Sequence, residues 1–406
     1  MKYVLLVGDG MADYPLAELE GKTPLMVATT PNMDWIAKNG MVGLVKTIPP
    51  GFSSGTEIAN MSLLGYDPAQ YFTGRGPLEA ASMKVSLEAD DLAFRCNLVN
   101  LEVFGPQVIM GDFTAGHISS EEARQIIQDI EGEMGTETIR FYPGLGYRHL
   151  MVWKGGGSRK GLEKLPLAPP HDIVGKEIFD YLPKQGGEDG ILELLTRSQI
   201  MLKEHPVNLA RIENGLKPAN SIWLWGQGRR PNIPTLVEKF GVEGSVISAV
   251  DLLKGLGLYA GLKVIDVPGA TGYFDTNYRG KAIHGLKELE ERDLVFIHVE
   301  APDEAGHIGD IPKKIEAIEA FDKEVVGTIL EGMRDLGDYR VMVLPDHPTP
   351  ISIRTHVSDP VPFAIYDSRQ QRSWPAGMSF DEDSVKGSGV YVENGYQIMD
   401  ILIRGE

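Results

Sequence analysis

An α/β fold with a mostly parallel sheet and helices on both faces is what this 406-residue sequence predicts. Three observations carry that reading. Short apolar runs rich in β-branched residues recur along the chain, as buried parallel strands do. Helical patterns separate many of them. Acidic residues stand just past the ends of three runs, the edge where open parallel sheets bind ligands.

The runs are Tyr3–Val7, Val42–Thr47, Ser221–Trp225, Leu262–Val267, Leu294–Val299, Arg340–Leu344 and Val361–Tyr366. Pro31 suits the first turn of a helix through Met33–Asn39. In Lys313–Leu336, apolar residues at helical spacing (Ile315, Ile318, Phe321, Val325, Ile329, Met333) predict one long helix. The middle differs. Between about Asp112 and Gln185 one clear helix, Ser119–Met134, opens on a capping-box pattern. Around it lie Gly- and Pro-rich segments and the short strand candidates Thr138–Tyr142 and Arg148–Trp153. The length is too great for one small core. The expected division is therefore a core of residues 1–111 and 186–406 with an inserted α+β unit of residues 112–185. Gly186–Gly190 would carry the chain back to the main sheet.

Lys plus Arg number 39 against 57 Asp plus Glu, a formal charge of −18. Such a surface repels nucleic-acid phosphates and anionic membranes, which excludes a general nucleic-acid binder. It does not exclude a small anionic substrate, because a few cations or a metal reverse the local field. A single cysteine, Cys96, rules out an intramolecular disulfide and a Cys-rich zinc module, and fits a reducing, cytoplasmic setting. No run approaches the ~18 apolar residues of a membrane helix, and the N-terminal apolar run stops at Asp9, unlike a signal segment.

The three strand-end acids are Asp9, Asp303 and Asp346. Any one of them alone could as well cap a helix or make an Asx-turn. Asp303 and His307 stand at i and i+4, which places both on one helical face. Asp346-His347 is a second pair, and His356 follows shortly after. Oxygen and nitrogen donors without thiolates suit Mn²⁺, Zn²⁺ or Mg²⁺. There are more donors than one ion needs, which points to two ions roughly 3.5–4 Å apart. A Gly/Pro-rich loop, Pro49–Gly55, runs into a helix at Thr56. A hydroxyl there would meet the helix dipole and the metals, which favour an alkoxide and a bound phosphate. The competing reading makes Thr56 an N-cap.

Whole blocks of the sequence resemble the cofactor-independent phosphoglycerate mutases of the archaeal type, within the alkaline phosphatase superfamily. The blocks are Gly8–Asp13, Thr29–Asp34, Thr56–Pro68, Tyr71–Ala80, Glu300–His307, Pro345–Pro350 and Thr355–Pro362. The resemblance implies an alkaline-phosphatase-like core that binds two divalent ions. Asp303, His307 and His356 match the ligands of one ion, and Asp9, Asp346 and His347 those of the other. Thr56 falls where the family carries its phosphorylated nucleophile, usually Ser, which also touches a metal; Ser53 and Ser54 lie close by. The implied reaction moves the phosphoryl group of 3-phosphoglycerate through the enzyme to give 2-phosphoglycerate, without 2,3-bisphosphoglycerate. The inserted unit would act as a lid that keeps water from the phosphoenzyme. Arg75, Arg148, His149, His117 and His171 are the candidates to hold the substrate carboxylate.

Alternatives on the same scaffold are a homoserine kinase-like phosphotransferase and a metal-dependent phosphatase. Gly51-Phe52-Ser53-Ser54-Gly55 matches a serine-hydrolase motif to the letter, but Pro49 and Pro50 break the strand that motif needs. A non-catalytic protein would be expected to lack the ligand set.

Overall fold

The computed structural model describes residues 1–184, 188–370 and 378–405. In chain order the strands are β1 (Lys2–Gly8), β2 (Met41–Val45), β3 (Leu92–Phe104), β4 (Gln107–Asp112), β5 (Ile139–Tyr142), β6 (Arg148–Trp153) and β7 (Ser221–Gly228). They continue with β8 (Gly244–Ile247), β9 (Lys263–Val264), β10 (Leu294–Val299), β11 (Tyr339–Leu344), β12 (Val361–Asp367) and β13 (Tyr391–Val392). The chain divides into two units, one of Met1–Phe72 with Asn232–Glu406 and one of Thr73–Pro231.

The first unit is built on an eight-stranded sheet of order β13-β2-β12-β11-β1-β10-β8-β9. Strand β1 pairs in parallel with β10 on one side and β11 on the other. Every residue of β10 and β11 is buried. Successive side chains of a strand point to opposite faces, so both faces of the sheet are covered, as expected of parallel strands. Two of the expected parallel strands differ. Strand β12 pairs antiparallel with both β11 and β2, and the run at Leu262–Val267 shortens to the two residues of β9 at the sheet edge. An apolar run alone does not report strand direction.

The expected long helix starts at Ile311 and is interrupted by a π-helical stretch, Phe321–Val326. There the buried Asp322 carboxylate accepts from the amides of Asn32 and Met33, in the first turn of the helix Pro31–Asn39. A carboxylate at a helix start is favoured by the dipole and by unpaired N–H groups.

The second unit holds a five-stranded sheet in which β3 pairs antiparallel with β4, β6 and β7. It is larger than the inserted segment of residues 112–185 read from the sequence. The reason is β3: its partners all lie between residues 107 and 228, so the unit must begin before it. For the same reason the run at Ser221–Trp225 belongs to this sheet and is antiparallel. The helix Ser120–Met134 carries the expected capping box, Ser119 with Glu122. Gly186 and Gly187 lie outside the described residues; a helix runs from Glu188 to Leu202.

Candidate metal centre and active site

The order β11-β1-β10 sets three strand ends side by side. Asp9 follows β1, Asp346 stands two residues beyond β11, and Asp303 lies in the helix Ala301–Ile308 directly after β10. Segments nearly 300 residues apart thus converge at one sheet edge, as strand-end loops do.

Two donor groups result. Asp303, His347 and His356 offer ligand atoms all within 4.8 Å of one another, and so do Asp9, His298 and Asp346. His307 joins the first group: its Nε2 is 3.1 Å from Asp303 Oδ2 and 2.9 Å from His356 Nε2. His347 faces both groups, with its Nε2 3.4 Å from Asp9 Oδ1 and 3.6 Å from Asp346 Oδ2. All six expected ligands other than Thr56 are therefore together.

The histidines are oriented. His307 Nδ1 lies 3.1 Å from the Arg354 carbonyl and His356 Nδ1 3.3 Å from the Ser54 carbonyl. A carbonyl only accepts, so each Nδ1 carries a proton, and each Nε2 faces the site, where it would offer its lone pair to a bound cation. Asp346 Oδ1 accepts from the amides of Gly10 and His347, and Oδ2 from Asn60 Nδ2 at 2.7 Å.

Electrostatics favour a cation here. Burial, then Asp346 and Asp303, pushes the Asp9 carboxyl well above the usual range. Its Oδ1 is buried without a hydrogen-bond partner. Burial works against the charge of Asp303, yet hydrogen bonds from His307 and His356 hold its carboxyl well below the usual range. Burial lowers the His307 imidazole, but Asp303 outweighs it and lifts it to about 9. Crowded carboxylates, an orphaned oxygen and imidazole Nε2 atoms turned inward fit divalent ions bound by oxygen and nitrogen donors.

Thr56 is the first residue of the helix Thr56–Leu63, whose N-cap is Gly55. Its hydroxyl is therefore not a cap; Oγ1 stands 3.3 Å from His347 Nε2. Asn60, one turn on, donates to the Thr56 carbonyl and to Asp346, which ties this helix to the ligand loop.

His298 is a member of the site that motif spacing missed. It is wholly buried, with Nε2 3.4 Å from Asp9 Oδ2 and 3.7 Å from Asp346 Oδ2. Behind it Glu300 accepts from the buried Lys281 ammonium at 2.7 Å. The available signal was a lone imidazole inside the apolar run Leu294–Val299.

The substrate candidates belong to the second unit. Arg75 and the buried Arg95 stack over Trp225 at 5.5 and 4.6 Å, and the His171 ring lies 5.3 Å from it. Arg148 sits opposite Asn97 in the β3–β6 pair. Arg95 pairs with Glu79 at 3.3 Å, and after burial and Glu79 the charges of Arg75 and Arg148 also bear on it. Arg95 was not singled out by sequence, since its segment carries none of the motifs read there. His117 is exposed in the loop before Ser120–Met134, in a left-handed conformation (φ 51°).

His149 does not join them. It lies opposite Cys96 across β3–β6, is 3% exposed, and its Nδ1 accepts from the Gly144 amide. Burial depresses its pKa from 6.5 to about 3. The fold holds the ring neutral, so its contribution to stability is complete above pH 6.5 and is lost as pH falls toward 3. The span is worth as much as about 5 kcal/mol. Chemical denaturation of wild type and His149→Leu between pH 7 and 4 should show their stability difference shift by several kcal/mol in favour of the variant on acidification. A pH-independent difference would contradict it.

Among the described residues no helix is long and apolar enough to cross a membrane. The family model for 2,3-bisphosphoglycerate-independent phosphoglycerate mutase matches residues 37–208. A protein of that name from Methanosarcina barkeri is 53% identical over all of both chains. A probable one from Geobacter sulfurreducens is 50% identical over 99% of this chain and all of its own. A solved protein of Pyrococcus horikoshii superposes with a TM-score of 0.83 at 29% identity, covering 100% of this chain and 97% of that one. The cofactor-independent phosphoglycerate mutase of Thermoplasma acidophilum gives 0.66 at 28%, over 100% and 99%. With half of all positions shared from end to end, the chain belongs to the 2,3-bisphosphoglycerate-independent phosphoglycerate mutase family.

Proposed function

We propose that this protein interconverts 3-phosphoglycerate and 2-phosphoglycerate through a phosphothreonine at Thr56. The observation that carries the reading is the Thr56 hydroxyl, uncommitted to capping and 3.3 Å from His347 Nε2 between two donor groups. Asp303, His307 and His356 would hold one divalent ion, and Asp9, Asp346 and His347 the other, with Thr56 alongside. Ions so held would polarise the phosphoryl oxygens and lower the pKa of the hydroxyl.

Thr56 Oγ then loses its proton and attacks phosphorus, the bond from phosphorus to the glycerate 3-oxygen breaks, and that oxygen takes up a proton. In the return step the glycerate 2-hydroxyl loses its proton, attacks the phosphothreonine and releases Thr56, which is reprotonated. The start of the helix Thr56–Leu63 would favour the negative charge of a phosphoryl group on Thr56. The phosphoryl group waits on the chain itself, so no 2,3-bisphosphoglycerate is called for. Arg75, Arg95 and Arg148, with His171 and His117, are the proposed cations for the substrate's carboxylate.

Phosphorus NMR of 3-phosphoglycerate with the purified protein and Mn²⁺ tests this. The 2-phosphate should appear without inorganic phosphate. Release of phosphate alone would make it a phosphatase. Transfer only from a nucleotide to homoserine would make it a kinase.

A further inference from the structure

Three residues beyond Asp346 lies Thr349, wholly buried and absent from either donor group. Its Oγ1 contacts Asp303 Oδ1 and lies 3.3 Å from His347 Nδ1. These are one residue from each proposed ligand set. A hydroxyl has one proton to give and lone pairs to receive. The Asp303 carboxylate can only accept, so the proton goes there. What remains on Oγ1 for His347 is a lone pair, which requires the proton on Nδ1. The Nε2 of His347 is then left as the bare nitrogen, the atom that faces Asp9, Asp346 and Thr56.

His307 and His356 have their Nδ1 protons fixed by backbone carbonyls. His347 alone of the three has its own fixed by a side chain, and that side chain passes the constraint on to Asp303. We infer that Thr349 is a positioning residue that fixes the tautomer of His347, aims Asp303, and thereby couples the two ligand sets. The inference rests on the two-ion reading above.

The surroundings are shaped to hold it there. The Thr349 amide donates to the Ala12 carbonyl at 3.2 Å. Its carbonyl accepts from the buried Lys314 ammonium at 2.8 Å, which also pairs with Asp13 at 2.7 Å. Two motif glycines make the room. A Cβ on Gly10 (φ +60°) would stand 2.6 Å from both Thr349 Oγ1 and Asp303 Oδ1. A Cβ on Gly306, inside the Asp303–His307 pair, would stand 2.8 Å from Thr349 Cγ2 and press on the Thr349 carbonyl. Gly306 is thus accounted for by the approach of Thr349, and Gly10 by that of Thr349 and Asp303 together.

The test uses the full chain after chelation. Mn²⁺ titration by calorimetry is compared across wild type, Thr349→Val, which removes the hydroxyl at nearly constant volume, and Thr349→Ser, which restores it. Wild type and Ser should agree within about threefold, and Val should bind about 10–100-fold more weakly, the usual loss on deleting an outer partner of a metal ligand. NMR of the metal-free, ¹⁵N-histidine-labelled protein should show His347 with its proton on Nδ1 in wild type and Ser, but not in Val. Should Val not fold, Thr349→Ala makes the same deletion. Val binding as wild type does, Ser failing as Val does, or an unchanged His347 tautomer would each overturn the inference and leave the two-ion reading standing. Absence of Mn²⁺ binding in wild type would remove both.

Discussion

Thr56→Ala is expected to lower mutase activity by at least about a thousandfold while leaving divalent-ion binding within a few-fold of wild type. The asymmetry follows from what the side chain does. Gly55, not Thr56, caps the helix, so alanine removes no cap, and alanine is the best helix former. The ligand carboxylates and imidazoles keep their own partners: Asn60 and two amides on Asp346, and backbone carbonyls behind His307 and His356. What disappears is the hydroxyl 3.3 Å from His347 Nε2. Thr56→Ser should retain turnover, because it keeps that oxygen. Mass spectrometry of protein quenched with 3-phosphoglycerate should find a phosphoryl adduct on Thr56 in wild type and none in the alanine variant. An adduct on Ser53 or Ser54, with activity intact in Thr56→Ala, would move the nucleophile.

Asp303→Ala should instead abolish activity and metal-dependent stabilisation together. Asp303 meets His307 through one oxygen and His356 and Thr349 through the other. Its removal leaves the first donor group with imidazoles alone. An ion that binds only the folded chain stabilises it by about 2.7 kcal/mol at a hundred times its dissociation constant. Thermal unfolding of wild type with Mn²⁺ against EDTA should show that increment. In Asp303→Ala most of it should be missing, with kcat/KM down by more than a hundredfold. An Mn²⁺-dependent shift in the variant equal to that of wild type would remove Asp303 from the ligand set.

Much of this was legible in the chain. Asp303 and His307 at i and i+4, and Asp346-His347 after an apolar run, announced donors whose spacing carries geometry. Such spacing is local, and the helix and strand periods translate it directly into direction. His298 and Thr349 were not legible in the same way. His298 faces Asp9 and Asp346, and Thr349 reaches Asp303, each 46 or more positions away, and no local period encodes that. The unit boundary failed for a related reason. Strand β3, interrupted by Arg95, Asn97 and Asn100, is not among the apolar runs read from the sequence, and only its pairing with residues 107 to 228 assigns it to the second unit. Strand direction in β12 was hidden for the same cause, since burial on both faces looks alike in parallel and antiparallel neighbours.

The place of β1 in the sheet governs when the site can exist. Its register partners are Leu294 onward in β10 and Tyr339 onward in β11. During synthesis the first strand therefore emerges with neither neighbour made, and must wait for nearly three hundred residues before its first ladder closes. The contiguous segment Thr73–Pro231, whose strands pair among themselves, has all its partners much earlier. Closure of long loops is slow and leaves apolar edges open meanwhile. On the ribosome the second unit should thus fold first, and the donor groups, which need His356, should become able to hold ions only after that residue has been added.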